Sequence, residues 1–260
     1  MEDRLVIRRD DGPVTRLSLN DPDRANVLSS AMIEKLLRGV TEAGRDETVR
    51  VIVLDAAGRV FCAGHDLGEL RSDDDQGRLL ALFRRCGELM LAIEASPKPV
   101  IAKVAGAAVA SGCQIVASCD LAYADRGARF AVSGINLGLF CSTPSVALTR
   151  KVGRALAAEM LLTGRFIGAE EAAASGLINR VADAGDLEAL VEESAAAIAS
   201  KPPEAIALGK ALFRSQLEMS KAAAYELAAR RMVENLGFQS ARSGIDAFLS
   251  KQREPARAAR

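Results

Sequence analysis

The chain of 260 residues contains a single histidine, no tryptophan, two tyrosines and eight phenylalanines. So thin an aromatic set leaves little for a base-stacking surface of the kind that holds single-stranded nucleic acid. Neither sign of charge is in excess. The 34 Lys and Arg balance 34 Asp and Glu, so no global field draws the chain to nucleic acid or an anionic membrane, and neither is expected as a partner. Five cysteines (Cys62, Cys86, Cys113, Cys119 and Cys141) are an odd number with no C-x-x-C pair, and reduced thiols in a cytoplasmic protein are the expectation. With one histidine and no clustered cysteines the ligands of a zinc site are missing, and no metal is expected. A long apolar run is absent too. The N-terminus MEDRLVIRRDD is charged, with nothing of signal-peptide length. The most apolar region, VIAKVAGAAVASGCQIVAS, is interrupted by Lys103, Ser111, Gln114 and two glycines, and reads as strand, turn and helix rather than a membrane span.

What is present is ordinary for a globular protein: 49% apolar and 26% charged residues in a chain long enough for a substantial core. LVIRR and VTRLSLN read as two strands joined by DDGP, a hairpin turn signal. Next comes a helix capped by Ser29 or Ser30, with Met32, Ile33, Leu36, Leu37 and Val40 on one face. VRVIVLDAAG and KPVIAKVAG are short apolar runs suited to buried parallel strands. RSDDDQG is expected as a polar loop, and RLLALFRRCGELMLAIEAS as an amphipathic helix stopped by the prolines of SPKP. Ser111 to Ser118 reads as a helix opening at a tight turn, and CDLAYAD and ARFAV as short strands. Thr143 is a candidate N-cap with Pro144 at the first helical position. The pattern beyond is largely helical, wholly so after Lys201-Pro202-Pro203. The expected class is therefore α/β, with residues 1–200 repeating strand, strand, helix and residues 201–260 helical. The basic tail KQREPARAAR reads as a solvated end.

Two places, VIVLDAAGRVFCAGHDLGEL and PVIAKVAGAAVASGCQIVAS, combine a buried strand, a glycine-containing turn and a helix start. Such turns present backbone N–H groups that have no partner of their own. Two that converge can stabilise charge developing on a carbonyl oxygen. The lone histidine, His65, lies in the first of these turns. Its ring could act as an acid or base near neutrality, or it could serve only as a wall.

The motifs F-C-A-G-x-D-L, G-x-A-x-x-x-G-C-x-x-x-x-x-C-D and L-L-T-G-x-x-I-x-A-x-E-A-x-x-x-G-L follow one another in unbroken order. The chain thereby resembles the crotonase (enoyl-CoA hydratase/isomerase) superfamily from about Leu5 to Lys251. GHDL, SGCQIVASCD and GLFCSTPSVAL look most like its enoyl-CoA hydratase domain-containing protein 3 group. The resemblance implies a spiral of ββα units with a helical C-terminal trimerisation region, assembled as a homotrimer or homohexamer. It implies an enoyl-CoA hydratase-type lyase of fatty acid metabolism, acting on an acyl-CoA thioester. CoA enters as part of the substrate, with no separate cofactor. The N–H groups of His65 and Ser111 would polarise the thioester. Arg24, Ala25, Asp66, Leu67, Phe248 and Lys251 fall where the family holds CoA, although Arg24 and Lys251 read equally well as surface charges.

The departures are informative. Family hydratases carry two glutamates where this chain has Gln114 and Gly134, and the isomerase-type carboxylate falls at Ser142. An amide can hold a water but cannot take its proton at neutral pH, and glycine has no side chain. The lysine often found three residues after the first amide is replaced by Gly68. Cys141, Ser142 and Thr143 could line a pocket or merely cap a helix, and the thiols read as structural. Three outcomes stay open. One is slow hydration by a water on Gln114. Another is decarboxylation of a malonyl-type CoA, with thioester hydrolysis as a variant. The last is a non-catalytic acyl-CoA-binding oligomer.

Overall fold

A computed structural model describes residues 4–72, 74–183 and 185–257, with side chains through Ser250. The chain divides into two compact units, Met1–Ala199 and Ser200–Arg260.

The first unit opens with a hairpin of β1 (Val6–Asp11) and β2 (Val14–Leu19). The turn is shorter than DDGP suggested. Asp10 and Asp11 stay in the ladder opposite Thr15 and Val14, leaving only Gly12 and Pro13 between the strands. Asp10 is held there by the Thr15 hydroxyl at 2.7 Å and by Arg8 at 2.9 Å. Gly12 supplies the positive φ of +54° that a two-residue hairpin loop needs. A 3-10 turn at Pro22–Arg24 leads to α1 (Ser30–Arg45), capped by Ser29, whose hydroxyl accepts from the Met32 N–H at 3.2 Å. The expected face is buried at Met32, Ile33, Leu36 and Val40, while Leu37 is only partly covered.

Then come β3 (Val51–Ala56), β4 (Val60–Cys62), α2 (Leu67–Ser72) and α3 (Gln76–Ala95). Much of the expected polar loop is therefore helix: Arg71 and Ser72 close α2, and Gln76 and Gly77 open α3. Asp75 caps α3, accepting from the N–H groups of Gly77 at 2.7 Å and Arg78 at 3.2 Å. The chain continues as β5 (Val100–Val104), β6 (Ala107–Val109), α4 (Ser111–Ser118), β7 (Leu121–Asp125), β8 (Arg129–Ala131), α5 (Ser142–Lys151) and α6 (Arg154–Thr163). It ends the first unit with β9 (Ile167–Gly168), α7 (Ala169–Ala174), β10 (Arg180–Ala182) and α8 (Leu187–Ala199). The N-cap of α5 is Cys141, not Thr143: the Cys141 carbonyl accepts from the Ser145 N–H at 3.0 Å, so the helix begins earlier than its side chains suggest. Pro144 is tolerated because the first turn of a helix has no internal acceptor for its N–H groups.

After the initial hairpin, the pairs β3/β4, β5/β6 and β7/β8 each send the first strand to one sheet and the second to another. The larger sheet has the order β1-β2-β3-β5-β7-β10, parallel except for the initial hairpin. The smaller has the order β4-β6-β8-β9. The chain is an α/β spiral of ββα units. Alternation along β3 divides its side chains between two cores: Ile52 and Leu54 join Leu17, Leu19, Met32 and Ile33, whereas Val51 and Val53 meet Leu187, Val191 and Ala195 of α8.

The second unit comprises α9 (Pro203–Gln216), α10 (Lys221–Leu236) and α11 (Gln239–Arg257). Among the described residues no helix is long and apolar enough to cross a membrane.

Candidate active site

Two backbone turns meet at the site. The first follows β4, where Gly64 has φ +94°. A Cβ there would lie 2.9 Å from Ala110 Cβ and 3.5 Å from the Ser111 nitrogen, so the turn after β4 packs directly on the turn after β6. His65 forms an isolated parallel bridge with Leu28. The bonds of that bridge run through the neighbours of His65: the Leu28 N–H donates to the Gly64 carbonyl at 2.8 Å, and the Asp66 N–H to the Leu28 carbonyl at 3.4 Å. Peptide groups alternate in direction along an extended strand, so the N–H of His65 itself points away from Leu28.

The second turn joins β6 to α4 through Ala110, whose φ of 49° and ψ of −116° are strained for any residue with a Cβ. The strain is held in place from both sides. The Ala110 N–H donates to the Ala131 carbonyl at 2.8 Å, and its carbonyl accepts from the Gln114 N–H at 3.0 Å. Gly112 presses the helix start onto β4, since a Cβ on it would stand 2.3 Å from the Cys62 carbonyl oxygen. Ser111 is thus the first residue of α4, where an N–H has no intrahelical acceptor. Among the described residues, neither the His65 nor the Ser111 N–H donates a backbone hydrogen bond.

Both residues line one cavity of about 690 Å³. Its walls are mostly apolar and include Phe83, Val109, Leu137, Leu139 and Phe140, with Asp66, Leu67 and Ser142 also on the lining. The His65 ring stands edge-on to Phe83, centroids 5.1 Å apart at 83°. Among the described residues neither ring nitrogen has a hydrogen-bond partner. Burial pushes the imidazole pKa below its ordinary value, opposed by the nearby Leu28 carbonyl and Glu69, so the ring is neutral at neutral pH. Burial alone would raise the Asp66 pKa, but the Arg24 guanidinium and the N–H groups of Glu69 and Gly68 outweigh it and hold the carboxyl below the usual range. Asp66 caps α2, accepting from Gly68 at 3.0 Å and Glu69 at 3.3 Å.

The remaining expected residues are placed as follows. Arg24 is ion-paired with Asp66 and lies 3.7 Å from Asp21, between two carboxylates. The Ala25 carbonyl accepts from the Ala63 N–H at 3.1 Å. Gln114 does not line the cavity. It is buried one turn along α4, and its side-chain Oε1 has no partner among the described residues. Ser142 is exposed on the lining, its hydroxyl 3.4 Å from the Phe140 carbonyl. Phe248 lies exposed on α11 of the second unit, and Lys251 follows on the same helix, its side chain outside the described set.

Gly134 is more than a missing side chain. A Cβ there would lie 2.4 Å from the Leu139 carbonyl oxygen and 2.9 Å from Cys141 Sγ. The loop folds back on the glycine, with the Leu139 N–H donating to the Gly134 carbonyl at 3.0 Å and the Gly134 N–H to Cys141 Sγ at 3.3 Å. The space a glutamate would need is occupied by main chain.

The family model described as Enoyl-CoA hydratase/isomerase matches residues 9–256. The chain belongs to the enoyl-CoA hydratase/isomerase family. Among curated members, the mouse enoyl-CoA hydratase domain-containing protein 3, mitochondrial, is 42% identical over 97% of this chain and 84% of its own length. A putative enoyl-CoA hydratase of Thermus thermophilus is 35% identical over 95% of this chain and 98% of its own. Among solved structures, an enoyl-CoA hydratase of Mycobacterium smegmatis superposes with a TM-score of 0.93 at 49% identity, covering 95% of this chain and 96% of that one. Human enoyl-CoA hydratase domain-containing protein 3 gives 0.92 at 41% identity, covering 95% and 98%.

For a member of the enoyl-CoA hydratase/isomerase family the cavity is poor in acids and bases. All five cysteines are buried thiols outside any disulfide. Burial pushes the thiols of Cys62 and Cys113 up to about 12 and that of Cys86 up to about 11, and it raises the thiol of Cys141 on the lining as well, so none of these four is a ready nucleophile. Among the described residues no cluster of His, Cys, Asp or Glu could hold a metal ion. The sequence offered no periodic signal for Phe83 as a wall residue. Leu137, Leu139 and Phe140 stand in an LGLF run that reads as ordinary apolar sequence until the loop around Gly134 is seen.

Proposed function

We propose that this chain binds an acyl-CoA thioester in the apolar cavity and polarises its carbonyl with the N–H groups of His65 and Ser111, stabilising an enolate-like state. The observation that carries the proposal is that both residues line the same cavity while, among the described residues, neither N–H donates a backbone hydrogen bond. Removing one such donor typically costs about 10²–10³ in rate. The imidazole is not needed for this role, because the donor is main chain. Its neutral, partnerless ring acts as wall.

The two-carboxylate route of water addition has no support in this site. Gln114 stands behind the lining, Gly134 is packed against main chain, and Asp66 is engaged as a helix cap and ion-pair partner. Decarboxylation of a malonyl-type ester needs no base, but no Lys or Arg among the described residues lines the cavity to hold its carboxylate. Arg24 can serve a CoA phosphate only by loosening its hold on Asp21 and Asp66. Assembly as a homotrimer or homohexamer is supported by the apolar side chains the second unit exposes, among them Phe213, Tyr225, Met232, Val233 and Leu236. Buried free thiols suit a reducing compartment, the cytoplasm among them.

The test is mass-spectrometric product analysis of the pure protein with a panel of enoyl- and acyl-CoA esters, paired with calorimetry. Binding with a changed acyl group supports an enzyme, and binding without product supports a non-catalytic acyl-CoA binder. No binding to any ester overturns the proposal.

A further inference from the structure

The cavity contains four large apolar side chains that the free chain leaves open to solvent: Leu67 at 53% exposure, Leu137 at 68%, Leu139 at 49% and Phe140 at 42%. Apolar surface gathered at one place in this way marks a binding surface. Three of the four sit on a single loop, and that loop is not loose. The Gly138 N–H donates to the Ile135 carbonyl at 2.9 Å and the Leu139 N–H to the Gly134 carbonyl at 3.0 Å. The Gly134 N–H is tied to Cys141 Sγ, and Gly138 takes the left-handed φ of +76° that closes the turn. Leu137, Leu139 and Phe140 are therefore presented by a braced scaffold, which lowers the ordering cost of binding.

The charge pattern narrows the occupant. Asp66 is the only charged residue among the described lining residues, and Arg24 is paired with it. A carboxylate on the acyl group would be desolvated there with no cation to meet it, a costly arrangement. A cavity of about 690 Å³ has room for roughly twenty groups of a water molecule's size, so with the thioester and the end of its CoA arm inside it there is still space beyond a four-carbon acyl group.

We infer that the loop Leu137–Phe140 is the specificity-determining wall of this cavity, selecting thioesters with an uncharged, apolar acyl chain of about eight or more carbons. The inference rests on the acyl-CoA reading above and goes beyond it by naming the acyl class.

The experiment is calorimetric titration of the full-length protein with saturated CoA esters of four, six, eight, ten and twelve carbons, with succinyl-CoA matched against butyryl-CoA. Saturated esters carry no conjugated bond to hydrate, so binding is read alone. Affinity should rise about two- to fourfold per methylene, or at least about fiftyfold from four to ten carbons, and succinyl-CoA should bind more weakly than butyryl-CoA. The double variant Leu137→Ser, Leu139→Ser should flatten that dependence, and Leu139→Met should restore most of it. Both leucines are exposed, so the substitutions open no core cavity. A length-independent affinity overturns this inference while leaving the acyl-CoA reading intact, whereas no binding at any length overturns both. Tighter binding of succinyl-CoA overturns it as well. So does a double variant that changes the oligomeric state but keeps the chain-length dependence, because the wall would then be covered by a second copy of the chain.

Discussion

Gly134→Ala isolates the cost of a single methyl group. The glycine has no unusual φ, so the penalty is one of space. The new Cβ would stand 2.4 Å from a backbone carbonyl oxygen and 2.9 Å from a buried sulfur, and the oxygen cannot rotate away as a side chain would. Overpacking of this kind costs about 1–3 kcal/mol. Relief requires the loop to move, which loosens the Leu139 to Gly134 and Gly134 to Cys141 hydrogen bonds, worth about 0.5–1.5 kcal/mol each. A loss of roughly 2–4 kcal/mol corresponds to a Tm lower by about 5–12 °C for a unit of this size. Scanning calorimetry measures it. Gly138→Ala is the matched control: nothing lies within 4 Å of a Cβ there, but φ is +76°, so only the left-handed penalty of about 1–2 kcal/mol applies. A Gly134→Ala protein melting within 1 °C of the parent would refute the close packing of this loop. The same geometry predicts that Gln114→Glu with Gly134→Glu does not restore hydration, because the second carboxylate has nowhere to sit.

Three further outcomes are expected. Ser111→Ala keeps the main-chain donor and should retain turnover. Ser111→Pro removes it at a first helical position that tolerates proline, and should lower kcat/KM by about 10²–10³ with the helix content unchanged by circular dichroism. His65, the sole histidine, has a folded pKa depressed by burial below the ordinary 6.5. As pH falls through about 6.5 the unfolded chain takes up a proton that the folded one refuses, so stability drops until the folded pKa is reached. Denaturant melts of His65→Leu should lack that component. Finally, with Cys62 and Cys113 pushed up to about 12, an aromatic disulfide reagent at pH 8 should leave the native thiols unreacted for minutes and titrate all five in guanidinium.

The spiral was legible because its repeat is written in burial. Val51–Ala56 and Val100–Val104 are nearly continuous apolar runs, each interrupted by one charged residue, Asp55 and Lys103, and Ser111–Ser118 follows its turn as expected. Family membership, too, follows from the order of its motifs. Short elements were not legible. Residues 167–168 pair as a strand only because β8 lies beside them, and Leu67–Ser72 is a helix because Asp66 caps it, neither of which local composition reveals. The polar run after Leu70 resembled a loop because the signs of its helices are polar: Arg71 and Ser72 end α2, and Asp75 caps α3. At the site, the special character of the two turns showed in the glycines and that of Gly134 did not. A glycine that must be glycine because a carbonyl folds over it looks the same in sequence as one that has merely lost a side chain.

The bridge between Leu28 and His65 carries one more implication. Which peptide group looks into the cavity depends on parity: the partner of Leu28 turns its own donor outward, and the donor of Asp66 beside it turns back to the Leu28 carbonyl. Removing or adding one residue in the stretch from Asn20 to Val27 would slide that parity by a step and aim the donor of a different peptide at the ligand. Chemistry at this position should therefore be more sensitive to the length of that adjoining connection than to the identity of the side chain at 65.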